Sequence, residues 1–78
     1  MADKLIEVFA FGLQVDPSQL NEDTSPENTE QWDSLASMTL VTLIEDTFNV
    51  RLSTREIMKM RTIGIAREVL KSKGVEDI

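Results

Sequence analysis

Apolar residues recur at helical spacing along most of the chain. Leu5, Phe9 and Leu13 fall every four residues, with Ile6 and Val8 beside them and Asp3 in place to cap, which predicts a first helix over roughly 3–14. "VDPSQL" ends it at Asp16-Pro17, because proline supplies no amide hydrogen and crowds the preceding turn. "NEDTSPENTEQ" continues as a polar, acidic stretch without a helical period, a long loop of the kind kept for a function or for wrapping a core. Leu20 and Trp32 are its apolar anchors. A second helix is predicted over about 34–48. A third opens at "STREI", where Ser53 and Glu56 form a capping-box pattern, and it lasts about two turns with Ile57 and Met60 as its inner edge. Thr62 caps a last helix in which Ile63, Ala66 and Leu70 share a side, Val69 lies adjacent and Gly74 is the stop. The expected architecture is all-α: one domain over 1–78, a small four-helix bundle with a long first loop and a short third helix.

The second helix carries apolar surface on two sides. At about 100° per residue, with Leu40 at 0°, Ile44 falls at roughly 40° and Phe48 at roughly 80°, and Ala36 and Leu43 flank this core stripe. Leu35 falls at roughly 220° and Met38 at roughly 160°, nearly opposite the stripe, in the company of Thr39, Thr42, Glu45 and Asp46. Two outward apolar residues within a turn, beside the helix start and among carboxylates, read as a docking patch.

Charge narrows the partners. The chain of 78 residues has a formal net charge of −6, but residues 1–46 carry −9 and residues 47–78 carry +3. The acidic half repels phosphate backbones and the basic half lacks a dense stripe with interleaved aromatics, so nucleic acid is not an expected partner. No apolar run is long enough to span a membrane, and "MADKLIEVFAFGL" does not resemble a basic, then apolar leader; the expected setting is the cytoplasm, without membrane insertion. Monomer is the expected state, since no large continuous apolar patch lies outside the second helix.

The chain has no Cys, His or Tyr, which removes thiolate metal sites, disulfides and the usual general bases. No catalytic residue and no resident metal site is expected. A carboxylate hydrolase built on Glu45 and Asp46 is disfavoured, because the two are sequence neighbours on one helix and enclose nothing. Reaction chemistry passing through so small a domain would come from an attached group.

Ser34, in "EQWDSLASMTLV", allows two readings. Either Asp33 or Ser34 merely caps the second helix, or the Ser34 hydroxyl is an attachment point. If Asp33 is the cap, Ser34 occupies the first helical position and can be modified without unfolding the helix. A phosphodiester there would meet free amides and the positive end of the helix dipole, worth about 0.3–1 kcal/mol when exposed. Asp33 and Glu30 oppose it by repulsion.

"VDPSQL" closing a first helix, an acidic loop, "WDSLASMTLVTLIEDTFNV" and a third helix opening at "LSTREI" together resemble the acyl carrier protein family of phosphopantetheine-binding domains, from about Leu5 to Leu70. The resemblance implies that Ser34 takes a 4'-phosphopantetheine arm from coenzyme A as a phosphodiester, and that acyl intermediates ride on the arm's thiol as thioesters. An imported sulfur also accounts for the missing cysteine. It implies further that Asp33 helps a phosphopantetheinyl transferase place the group, often with Mg²⁺. Leu35 and the outward face of the second helix (Met38, Thr39, Thr42, Glu45, Asp46) would then meet acyl-loading, condensing or acyl-transfer enzymes of fatty-acid, polyketide or related lipid biosynthesis. Many members shelter the acyl chain inside the bundle, here among Leu40, Ile44, Phe48, Ile57, Ile63 and Leu70.

The chain departs from the housekeeping pattern at Ala36 and Thr39, where carboxylates are usual, and at Trp32, Arg51, Arg55, Lys59 and Arg61. These departures point to a specialised carrier with dedicated partners. Two alternatives stand beside it: a peptidyl or aminoacyl carrier, and an unmodified helical adaptor that binds partners through its second helix.

Overall fold

The computed structural model describes residues 3–75 and 78, and among them the regular elements are helices α1 (Lys4–Leu13), α2 (Ser34–Phe48), α3 (Thr54–Lys59) and α4 (Ile63–Ser72), with a 3₁₀ turn at Pro17–Gln19 in the long loop. Each helix begins where the sequence supplies an acceptor. Asp3 takes the Ile6 amide at 3.2 Å, Asp33 the Ala36 amide at 2.9 Å and Thr62 the Ile65 amide at 3.0 Å. Ser53 and Glu56 close the expected capping box. The helix ends use left-handed residues: Gln14 after α1, Asn49 after α2, and Gly74 at φ +90° after α4. At Gly74 the Val75 amide reaches the Leu70 carbonyl and the Gly74 amide that of Lys71, a Schellman closure.

The core is built from one stripe of each long helix: Leu5, Phe9 and Leu13 of α1, Leu40 and Ile44 of α2, and Ile63, Ala66 and Leu70 of α4, with Leu52 and Met60 closing in beside them. Phe48 and Ile57, expected inside, are half-buried at the margin, because each lies near an end of a helix where fewer neighbours cover it. Helices α1 and α2 pack tightly at Gly12, where an added Cβ would stand 2.7 Å from Leu40 Cδ2 and 3.1 Å from Leu43 Cδ1. Gly12→Val is therefore expected to cost about 1–3 kcal/mol through overpacking. A urea titration followed by circular dichroism checks it, and an unchanged midpoint would mean that the two helices can part freely.

The long loop is ordered by its own polar side chains. Asp16 and Gln19 cap the 3₁₀ turn reciprocally, Thr24 Oγ1 accepts from the Asn21 amide at 2.9 Å, and Asn28 Oδ1 accepts from the Ser25 amide at 2.9 Å. Thr24 and Ser25 are buried. The loop then docks on the start of α4, its Thr24 and Glu22 carbonyls accepting the amides of Ile63 and Gly64 at 3.1 and 3.0 Å. Segments far apart in sequence thus satisfy the free amides of a helix start.

Arg67 of α4 clamps the same region. Its guanidinium reaches Asp3 at 2.7 and 3.2 Å and Glu22 at 2.8 and 2.9 Å, binding both carboxylates in bidentate fashion. At Asp3, burial would raise the carboxyl pKa, but the hydrogen bonds from Arg67 and the Ile6 amide outweigh it and hold it below the ordinary range. At Glu22 the Arg67 hydrogen bond is the leading cause of a lowered pKa, against a smaller burial effect. Groups depressed on folding add stability that is complete above their unfolded values, about 4, and is lost as pH falls through their folded ones. Wild type should therefore lose thermal stability between about pH 5 and pH 3, and Arg67→Met should flatten that fall. Melting curves at both pH values test this; parallel curves for the two proteins would remove the clamp from the acid response.

Candidate cofactor-attachment site

The site is assembled around the first turn of α2. Asp33 has extended backbone and is the cap: its side chain takes the Ala36 amide and its carbonyl the Ser37 amide, both at 2.9 Å. That decides between the two ways of starting the helix. Ser34 is the first helical residue, exposed, with a side chain that caps nothing. The amides of Ser34 and Leu35 have no acceptor among the described residues. An exposed hydroxyl beside two unengaged amides at a helix N-terminus fits a phosphodiester on this oxygen.

Leu35 and Met38 lie outside as the wheel predicts, 77% and 70% exposed, and Thr39, Thr42 and Asp46 are exposed with them. Glu45 corrects the expected face. It is half-buried, and its carboxylate accepts the Leu52 amide at 2.8 Å, so it ties the α2–α3 connection to the helix. The Asn49 and Val50 amides both fold back on the Glu45 carbonyl, which brings residues 50–52 round to meet that carboxylate. Asp46 shares a hollow with Arg51.

Trp32, two residues before Ser34, is part of the core at 5% exposure. Its indole Nε1 donates to Ser37 Oγ at 3.0 Å, its amide donates to the Thr29 carbonyl at 3.0 Å, and its ring meets Phe9 edge-on with centroids 5.2 Å apart. The sequence marks Trp32 as an anchor but carries no sign of the Ser37 bond, because Ser37 reads as one more polar helix position.

Leu40, Ile44, Ile63 and Leu70 pack against one another and are buried. A void of about 30 Å³ is lined by Phe9, Trp32, Ser37, Leu40, Val41, Ile57 and Met60. A larger cleft, about 270 Å³, runs between α1 and α2 past Lys4, Val8, Leu43 and the exposed Phe11. Sequence reasoning does not single out Phe11, although at about 100° per residue it falls opposite the Leu5, Phe9 and Leu13 stripe, the signal that could have placed it outside.

Residues 32–64, which contain this whole turn, match the family model described as the phosphopantetheine attachment site. With that match the helical frame and its exposed serine define a class, the phosphopantetheine-binding carrier domains. The chain is also 32% identical over 75 residues to the acyl carrier protein of Syntrophus aciditrophicus (strain SB), an alignment covering 96% of this chain and 94% of that protein. It belongs to the acyl carrier protein family, whose members carry and do not catalyse, and its cofactor is covalently attached 4'-phosphopantetheine. Proteins of this family receive the arm from a phosphopantetheinyl transferase and meet acyl-handling enzymes. Among the described residues no helix is long and apolar enough to cross a membrane.

Proposed function

We propose that residues 1–78 form a single monomeric carrier domain of the cytoplasm whose arm is attached at Ser34. The observation that carries this reading is the division of labour at the head of α2: Asp33 holds the helix start, which leaves the Ser34 oxygen exposed and free of structural duty. In the attachment step the Ser34 oxygen bonds to the phosphorus that bears pantetheine, the pyrophosphate P–O bond of coenzyme A breaks, adenosine 3',5'-bisphosphate leaves, and the hydroxyl proton passes to a base of the transferase. The negative phosphodiester then sits at the positive end of α2, and the thiol at the far end of the arm holds the acyl group as a thioester.

Leu35 and Met38 supply the apolar centre of the surface that partner enzymes meet, with Thr39, Thr42 and Asp46 around it and Glu45 holding its far end in shape. Asp33 assists the transferase as well as the helix. The partners are acyl-loading, condensing or acyl-transfer enzymes of fatty-acid, polyketide or related lipid biosynthesis, and the neutral residues Ala36 and Thr39 favour dedicated ones. Intact-protein mass spectrometry after treatment with coenzyme A and a promiscuous phosphopantetheinyl transferase tests attachment. Gain of one phosphopantetheine mapped to Ser34 is expected, and a folded protein that gains nothing would return Ser34 to the adaptor reading.

A further inference from the structure

Helix α3 carries its cations where helix physics disfavours them. Arg55 stands in the first turn, toward the positive end of the helix dipole, and Lys59 follows at i+4, so two like charges are neighbours on a short helix. Both are exposed, and neither makes an ion pair among the described residues. Nearby cations are engaged: Arg61 pairs with Glu27, Lys73 with Glu56, and Arg51 shares a hollow with Glu45 and Asp46. The chain has a net charge of −6, yet among the described residues it brings no carboxylate within ion-pair distance of Arg55 or Lys59.

Met58 shares this outer face and is 72% exposed. At about 100° per residue, with Arg55 at 0°, Lys59 falls at roughly 40° and Met58 at roughly 300°. Ile57 and Met60, at roughly 200° and 140°, form the inner edge, and Glu56, at roughly 100°, is held by Lys73 of α4. The outer face is thus an apolar side chain beside two unneutralised cations. Stability alone selects against that combination, and local rules are broken most often at functional sites. An apolar centre with a charged rim is also the anatomy of a protein interface.

Ile57 and Met60 line one void with Ser37 and Val41, so α3 packs on the flank of α2 that carries Ser37, one turn from Ser34. An interface of ordinary size covers about 800 Å² on each partner, a disc about 16 Å in radius. The longest extent of the chain is 30 Å, so a footprint centred on Ser34 reaches α3. We propose that the outer face of α3, Met58 with Arg55 and Lys59, docks the enzymes that serve this carrier, and that their matching surface is an apolar pocket bordered by carboxylates. This deepens the carrier reading and rests on it. Opposite charge speeds the encounter, and like charge turns basic surfaces away. A phosphate backbone would satisfy the two cations but would be repelled by the −9 carried on residues 1–46.

The probe is a synthetic amphipathic helix with a leucine stripe bordered by glutamates, titrated into isotope-labelled protein with and without the arm, whose presence is verified by mass. Saturable shifts of the Arg55, Met58 and Lys59 amide resonances are expected, weakening as salt is raised. A counterpart helix bordered by lysines should leave those resonances in place. Arg55→Glu/Lys59→Glu should weaken binding of the acidic helix about tenfold or more, and Met58→Ser should weaken it severalfold. Arg55→Gln/Lys59→Gln, with a smaller loss, serves if the reversed pair does not fold. The proposal is overturned if the acidic helix leaves α3 unmoved or binds the charge-reversed protein equally well. Shifts of the same amides with protein concentration alone would overturn it in favour of a second copy of this chain. Absence of any mass gain with coenzyme A and a promiscuous transferase would instead overturn the carrier reading, and the titration of the unmodified protein reports on α3 separately.

Discussion

Ser34→Ala should accept no phosphopantetheine at all and should fold as stably as wild type. The loss is absolute because the hydroxyl oxygen becomes one of the bonded atoms, and no other side chain stands in its place at the head of α2. The stability is retained because the helix start belongs to Asp33, whose carboxylate holds the Ala36 amide at 2.9 Å. Ser34 is exposed and makes no capping bond, and alanine is the better helix former, so the change should lie within about 0.5 kcal/mol of zero. Asp33→Ala supplies the contrast. Removing a cap of this kind costs about 1 kcal/mol, which moves the melting temperature of a domain this size by roughly 4–8 °C. Intact mass and thermal melts on the two variants separate chemistry from folding. Modification persisting in Ser34→Ala, or a Ser34→Ala melt as low as that of Asp33→Ala, would reverse the assignment of roles.

Phe9→Ala is expected to be the most damaging of the substitutions considered. Phe9 is fully buried, lines the small void and receives the Trp32 ring edge-on at 5.2 Å. Deleting it forfeits the transfer free energy of the ring and leaves a cavity, together about 3–5 kcal/mol. The whole domain is worth about 4–12 kcal/mol at typical stability per residue, so the variant should be unfolded or close to it. The loop should suffer with the core, because Trp32 loses its main stacking partner and with it the anchor of the segment before Ser34. Urea unfolding monitored by Trp32 fluorescence and by circular dichroism would report both. A cost below about 1 kcal/mol would show that the core reorganises around Trp32 far more readily than close packing allows.

What can be read along the chain is what local rules govern. Helix starts at Asp3, Ser53 and Thr62, the stop at Gly74 and the inward stripe Leu40–Ile44 are settled within a few residues of themselves, by amides that need acceptors and by a period of 3.6. The outward placement of Leu35 and Met38 follows from the same period. The motif around Ser34 is legible for a related reason: it is contiguous, and its resemblance to carrier domains needs no folding to be seen.

The rest depended on which distant residues meet. Nothing near Arg67 announces that it will bind Asp3 and Glu22, 64 and 45 positions away. Glu45 reads as one more outward carboxylate until the chain turns back at Asn49 and presents the Leu52 amide to it. The acidic stretch before Trp32 reads as a loop kept for a function or for wrapping a core, but that its carbonyls cap α4 and its Thr24 and Ser25 are buried appears only in the fold. Trp32 shows the division most clearly. Its apolar bulk predicts burial, but the edge contact with Phe9 exists only once the segment before α2 has packed on α1. Periodicity and capping are local free energies and are written along the chain, whereas the Phe9–Trp32 contact and the Arg67 clamp are properties of surfaces brought together from separate elements.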